Sequence, residues 1–235
     1  MTDLLTHTFA DDVNRIVLDD GKANAMSVQM LAELNAALDL AEQNGGLVVI
    51  RGRAGVFSGG FDLGVFKRGD QEEIFSMLKA GALLTERLLS FPNPTIALCT
   101  GHAIAMGAFI LLSTDFRIAM EGDFKFAANE VAIGLTVPRF ATEVCRLRLS
   151  PAAFNSGLPL ARYYDCESAQ QAGFIDQLVA PDKLDEVTAA TAKYLLALDR
   201  PSHTATKLRV RTSAFTALRI AIEEDCAEWE QRYGS

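Results

Sequence analysis

The chain has 235 residues, with hydrophobic residues at 49%, charged residues at 22% and a formal net charge of −8 at pH 7. That length suffices for one large domain with a sizeable core, and the acidic balance argues against nucleic acid or an anionic membrane surface as a partner. The longest apolar run, "AIAMGAFILLS", is too short to span a bilayer.

The N-terminal "MTDLLTHTFADDVNRIVLDD" carries acids early and has no apolar h-region, so it does not read as a secretory signal. Cys99, Cys145, Cys166 and Cys226 form no CxxC pair and have no histidine at metal-ligand spacing. The expectation is a soluble, cytoplasmic protein with reduced thiols and no metal site.

"VNRIVLDD" (13–20) alternates as a strand and ends in a turn at Asp20-Gly21. Ser27 stands as an N-cap before a helical pattern that runs to Asn44. "LVVIRG" (47–52) has the continuous apolar character of a buried parallel strand. A glycine-rich loop, "RAGVFSGGFDLG", follows, and then an amphipathic helix over 71–90 that stops at Phe91-Pro92. "TIALCTG" (95–101) is a second buried strand, with small residues and a helix starting near Met106-Gly107 behind it. "DFRIAM" (115–120) and "FKFAANE" (124–130) are expected as strands. From Pro138 onward the pattern is helical alone, with a long last helix ending near Trp229. Strands with interleaved helices and then helices alone predict an α/β core over 1–185 and a helical C-terminal region over 186–235.

Three places carry chemistry. Gly59-Gly60 permits backbone conformations closed to other residues and lets a ligand reach the main chain, while Phe61-Asp62 opens the next element with free amides. The segment "GHAIAMGAFILL" has the same design, a strand end followed by the unpaired first amides of a helix. Two such donors converging on one point would make an oxyanion hole. Glu130, beside Asn129, is the acid at the end of an almost wholly apolar run. A salt bridge to Lys125 or an arginine would make it structural, whereas an apolar pocket of Phe109, Val131 and Ile133 would raise its pKa toward that of a working base.

The ordered segments "GKANAMS", "VFSGGFDL", "TGHAIAMGAFILLSTDFRIA", "FKFAANEVAIGL" and "SAQQAGFIDQLV" resemble the enoyl-CoA hydratase/isomerase (crotonase) family over nearly the whole chain. The resemblance implies a crotonase-like spiral of ββα turns with a helical C-terminal region that forms a homotrimer or a dimer of trimers. It also implies an acyl-CoA thioester substrate, with coenzyme A as part of the substrate and no separate cofactor. The backbone amides of Phe61 and Met106 take the places of the family's oxyanion donors, with Gly107 flanking the second as the alternative. Lys22, Ala23 and Ala25 fall in the first CoA-contacting block. Ser58, Gly60, Asp62, Leu63, Ile104, Phe109 and Asn129 fall at further substrate-contacting positions, and Lys67 or Arg68 at phosphate-contacting ones.

Hydratases of the family carry a glutamate three residues after the second donor and another at the position of Glu130. Here the first position is Phe109. Adding water uses an acid and a base together, whereas moving a double bond needs one base that takes a proton and returns it. The single-glutamate pattern, with Asn129 before Glu130, resembles family members that convert 3-enoyl-CoA to 2-enoyl-CoA. Hydration and a non-catalytic acyl-CoA-binding role stand as the alternatives. His102 reads as a packing residue, His7 and His203 as surface residues, and Asp62 as a loop organiser.

Overall fold

The structure, a computed structural model, describes residues 3–234. Strands β1 (Leu5–Ala10) and β2 (Val13–Leu18) form an antiparallel hairpin, and helix α1 (Val28–Asn44) follows. The Ser27 hydroxyl accepts from the Met30 amide at 3.1 Å and so caps α1 as expected. Next come β3 (Leu47–Arg51), β4 (Gly55–Ser58), α2 (Leu63–Arg68) and α3 (Gln71–Ser90). Asp70 caps α3 by accepting from the Glu73 amide, and Glu72 and Glu73 favour its positive N-terminal end. A second pair, β5 (Thr95–Cys99) and β6 (Gly101–Ile104), leads into α4 (Met106–Ser113). A third, β7 (Phe116–Met120) and β8 (Phe126–Ala127), leads into a 3-10 turn at Glu130–Ile133.

Each repeat therefore gives one strand to each of two sheets and then turns helical, which is the expected spiral of ββα turns. The larger sheet runs β1-β2-β3-β5-β7 and ends on β9 (Gln177–Val179), parallel from β2 onward; the smaller is the parallel β4-β6-β8. Strands β3 and β5 are buried almost throughout, which is why they read as unbroken apolar runs.

Several boundaries differ from the sequence reading. Residues 55–58 and 101–104 are strands where loop and small residues were expected. "FKFAANE" is a strand over only two residues, because the chain turns into the 3-10 helix at Glu130. The second half is not helical alone: β9 interrupts α5 (Arg139–Arg148), α6 (Pro151–Gly157), α7 (Cys166–Ala172) and α8 (Leu184–Leu196). The last helical stretch breaks at Arg211 into α9 (Arg200–Val210) and α10 (Thr212–Tyr233). Helix α10 packs against α3 and α5 and sends Phe215, Leu218, Ile222 and Trp229 into the main core. Its buried Asp225 accepts from the amides of Arg139 (3.1 Å) and Phe140 (2.8 Å), taking up unpaired donors at the start of α5. No described helix is long and apolar enough to cross a membrane.

Candidate active site

The three chemical segments leave the same end of three neighbouring strands. In the small sheet Ser58 pairs with Ala103, and Ile104 with Ala127. All three strands are parallel, so Gly59-Gly60-Phe61, Ala105-Met106 and Asn129-Glu130 emerge side by side beyond their C-terminal ends. The Ala105 amide donates to the Ala127 carbonyl at 2.8 Å, tying the second segment to the third.

Gly60 joins the first segment to the second. It has φ +99°, and a Cβ there would come within 2.9 Å of Ala105 Cβ and 3.5 Å of the Met106 amide nitrogen. The carbonyl of Gly60 accepts from the Met26 amide, and the Asp62 amide donates to the Met26 carbonyl. In that parallel bridge the Phe61 N–H points away from residue 26. It finds no acceptor among the described residues. Met106 is the first residue of α4, so its amide has no intrahelical acceptor either. The positive φ that glycine-rich relatives would accommodate falls on Ala105 (φ +49°), which leaves Met106 helical and removes the conformational objection to methionine. Gly107 lies against the first loop instead, where a Cβ would approach the Ser58 carbonyl oxygen to 2.3 Å.

Buried polar groups hold the first loop. The Ser58 hydroxyl donates to the Asn24 carbonyl (2.7 Å) and accepts from the Gly60 amide (3.2 Å). The Asn24 amide group donates to the carbonyls of Leu18 and Phe57. Gly59 donates to the Ala23 carbonyl, and the Ala25 amide donates to Asp20. Against the opposing effect of burial, hydrogen bonds from the amides of Ala25, Asn24 and Lys22 hold the Asp20 carboxyl below its usual range. Asn24 and Asp20 are thus the supports that sequence reasoning missed. Their signal is the "D-G-K-A-N-A" turn, which looked like an ordinary hairpin end.

Asp62 accepts from the Gly64 amide at 2.7 Å and caps α2, organising the loop as expected. Lys22, Ala23 and Leu63 are exposed around the loop, whereas Ala25 and Ile104 are half-buried. Lys67 is exposed, and Arg68 is paired with Glu73 at 2.7 Å. His102 accepts from the Lys125 amide and stacks edge-on to Phe124, a packing role.

Glu130 is 7% exposed, and its Oε2 is buried without a hydrogen-bond partner. Desolvation lifts its carboxyl to about 7, opposed by a hydrogen bond from its own amide. The expected pocket wall needs correction: Val131 and Ile133 are 46% and 51% exposed, because the 3-10 turn swings them outward. Lys125 sits near Asp123 at 3.4 Å, and Glu130 forms no ion pair with a lysine or arginine among the described residues. Phe109 is wholly buried and edge-on to Phe140, whose ring in turn meets Trp229 of α10. Its side chain, like that of Met106, packs in the main core. Asn129 donates to the Tyr163 hydroxyl at 2.9 Å beside Glu130. The result is two unpaired amides and one buried carboxyl with an unpartnered oxygen, Oε2, on adjoining loops.

A cleft of about 560 Å³ lies elsewhere, between the start of β7 and helices α8 and α9. Its cations are already engaged: Lys207 and Arg211 both bind Asp115. The unpaired amides and Glu130 Oε2 lie on the loops and not in this cleft.

The enoyl-CoA hydratase/isomerase family profile matches residues 8–228. The chain belongs to that family. Within it, a probable enoyl-CoA hydratase of Mycobacterium avium is 31% identical over 215 residues, 89% of this chain and 80% of the relative. The solved structure of an enoyl-CoA hydratase from Mycobacterium marinum superposes with a TM-score of 0.91 at 42% identity, covering 96% of this chain and 99% of that one. That of an enoyl-CoA isomerase from Mycobacterium tuberculosis gives 0.91 at 41% identity, covering 97% of this chain and all of that one. A second structure of that same Mycobacterium tuberculosis protein bears the name probable enoyl-CoA hydratase, so the relatives' names do not separate the two activities.

Proposed function

We propose that this family member is an enoyl-CoA isomerase that moves a double bond from the 3,4 to the 2,3 position. The observation that carries this reading is one buried carboxyl, Glu130, whose Oε2 has no partner, beside two unpaired amides, with Phe109 where hydratases carry a second glutamate. The thioester oxygen accepts from the Phe61 and Met106 amides. Glu130 takes a proton from the α-carbon, C2, and the negative charge moves onto that oxygen, where the two donors stabilise it. The dienolate is reprotonated at C4 by the same carboxyl. The electron pair settles between C2 and C3, and no atom is gained or lost. A resting pKa near 7 suits a group that must both take and return a proton near neutrality. Coenzyme A is part of the substrate, and a proton shift calls for no separate cofactor.

The test is purified protein with 3-hexenoyl-CoA and, separately, crotonyl-CoA. Conversion of the first to 2-hexenoyl-CoA, with slower hydration of the second, is the expected result. Hydration of crotonyl-CoA as the faster reaction, which the hydratase relatives favour, would replace the isomerase reading. Binding with neither turnover would make the chain a non-catalytic acyl-CoA binder.

We further propose a cytoplasmic homotrimer or dimer of trimers assembled through the helical region from residue 186. Its support is exposed apolar surface on the last three helices, from Tyr194, Leu208, Val210 and Ile220. Sedimentation equilibrium is expected to return three or six times the chain mass of 25.5 kDa, and a monomer would overturn this assembly.

A further inference from the structure

Gly81 lies in the middle of α3, between Ala80 and Ala82, in a helix that closes with normal caps at both ends. Glycine is disfavoured there relative to alanine, so the position has a reason other than helix formation. A Cβ on Gly81 would lie 2.5 Å from Cζ and 2.6 Å from Cε1 of Phe61, and 3.3 Å from Cε of Met106. Those two side chains belong to the residues whose backbone amides are the unpaired donors of the site. Both donor residues carry bulky side chains, a phenylalanine and a methionine. The missing side chain of Gly81 is the notch that receives them.

We propose that Gly81 is a positioning residue for the oxyanion hole. By seating the Phe61 ring and the Met106 ε-methyl in one notch on α3, it fixes where the two amides sit relative to each other and to Glu130. This rests on the reading that these amides hold the thioester oxygen. A side chain at 81 would press first on Phe61, because the ring is rigid and within 2.6 Å, whereas the methionine tip can move aside. Main-chain bonds to Met26 hold Gly60 and Asp62 on either side of Phe61, so strain from a displaced ring is confined to Phe61 itself, to its side-chain torsions and the peptide plane that carries its amide.

The experiment is a double-mutant cycle of Gly81→Ala, Phe61→Ala and the pair. It reads kcat and KM for 3-hexenoyl-CoA, the melting temperature, and the absorbance of bound 2,4-hexadienoyl-CoA, whose conjugated carbonyl reports polarisation by the donors. Gly81→Ala is expected to lower kcat by ~10²-fold, the scale of an ångström misplacement of a reacting group, with KM changed less than ~3-fold. The bound probe's absorbance should move back toward that of free ligand. The pair should match Phe61→Ala alone in both readouts, since the collision is gone.

A merely structural role would lower the melting temperature and leave the probe spectrum of the folded protein unchanged, and that result overturns the inference. So does Gly81→Ala turnover within ~3-fold of the parent, well short of the loss a misplaced donor gives. If Gly81→Ala does not fold, the pair must fold and match Phe61→Ala; failure of the pair to fold also overturns it. Absence of turnover and of a probe shift in the unaltered protein would overturn the functional reading and this inference together. An active parent with an insensitive Gly81→Ala sinks the inference alone.

Discussion

Glu130→Gln is expected to lower kcat for 3-hexenoyl-CoA by about 10²–10⁴-fold while the substrate still binds, because glutamine keeps the shape of the side chain and loses the base. In the unaltered protein the carboxyl must be ionised to take the first proton, and burial has raised its pKa to about 7. The value of kcat/KM should therefore be level above pH 8 and fall toward tenfold per pH unit well below 7. The same shift makes a stability statement of opposite sense. A carboxyl whose folded-state pKa is raised stabilises the fold fully below its unfolded value of 4.5, and that contribution is lost as pH rises through about 7. At pH 8.5 the buried, unpartnered charge costs up to about 3 kcal/mol of folding stability. Glu130→Gln should then be the more stable protein, by a margin that grows by about 2–3 kcal/mol between pH 5 and pH 8.5 in urea unfolding. A margin flat with pH would show that Glu130 titrates as an ordinary surface acid, and the catalytic assignment would fall with it.

That opposition explains how much of the site could be read before the fold was known. An acid at the end of an apolar run conflicts with its surroundings, and such local conflict marks function in a sequence otherwise consistent with its fold. Gly59-Gly60 and the sudden helix start at Met106 are legible for a related reason: each puts unpaired amides beside a flexible or small residue. The sequence does not show that Ala105 rather than Met106 takes the positive φ. That depends on the close approach of Gly60 across the sheet, a contact between segments 45 residues apart. Strand β6 also escaped, since "GHAI" carries no β-branched alternation and is a strand only because β4 and β8 flank it. Gly81 has no motif at all. Its meaning comes from two residues on other elements, 20 positions before and 25 after it in the chain.

His203 shows the same limit on the structural side. It reads as a surface residue from its polar neighbours in "RPSHTATK". Helix α9 nevertheless docks this face against the turn before β5, and His203 Nε2 ends buried, 3.9 Å from Asp115. Burial lowers its pKa, and Lys207 lowers it further against the opposing pull of Asp115. The helices from 186 onward thus rest on polar anchors as well as on the apolar contacts of α10. The anchors pair residues more than 90 positions apart, out of reach of any local pattern.

Asp115→Ala is expected to have the largest effect on stability. The carboxylate lies just before β7, beyond the C-terminal end of α4, whose first residue is Met106. It accepts from Lys207 Nζ at 2.5 Å and from Arg211 Nη2 at 2.9 Å, both from buried side chains. Lys207 also donates to the carbonyls of Phe91 and Asn93, and Arg211 to that of Leu89, so these cations clamp α9 and its junction with α10 onto the turn before β5. Arg148 lies close by, its pKa lowered to about 9 by desolvation and then by Arg117 and Arg211. Without Asp115, its two bound cations stay buried with carbonyl partners alone, and removing one partner of such a cluster costs about 3–5 kcal/mol. Lys207 already has its pKa lowered by burial, an effect Asp115 opposes, and the substitution removes that opposition. The unfolded chain then holds the Lys207 proton to higher pH than the folded one, so the variant should regain stability as pH rises from 7 toward 10. Adding Lys207→Met should restore part of the loss and flatten the pH dependence. Urea unfolding of the single and double variants decides this: a loss below about 1 kcal/mol for Asp115→Ala would mean the cluster is solvated and weak, like a surface ion pair. Because the cluster lies away from Phe61, Met106 and Glu130, folded Asp115→Ala protein should retain its turnover of 3-hexenoyl-CoA. The charges that hold the C-terminal helices and the charge proposed to move the proton are then separable, one set stabilised by pairing and the other with its pKa raised by burial.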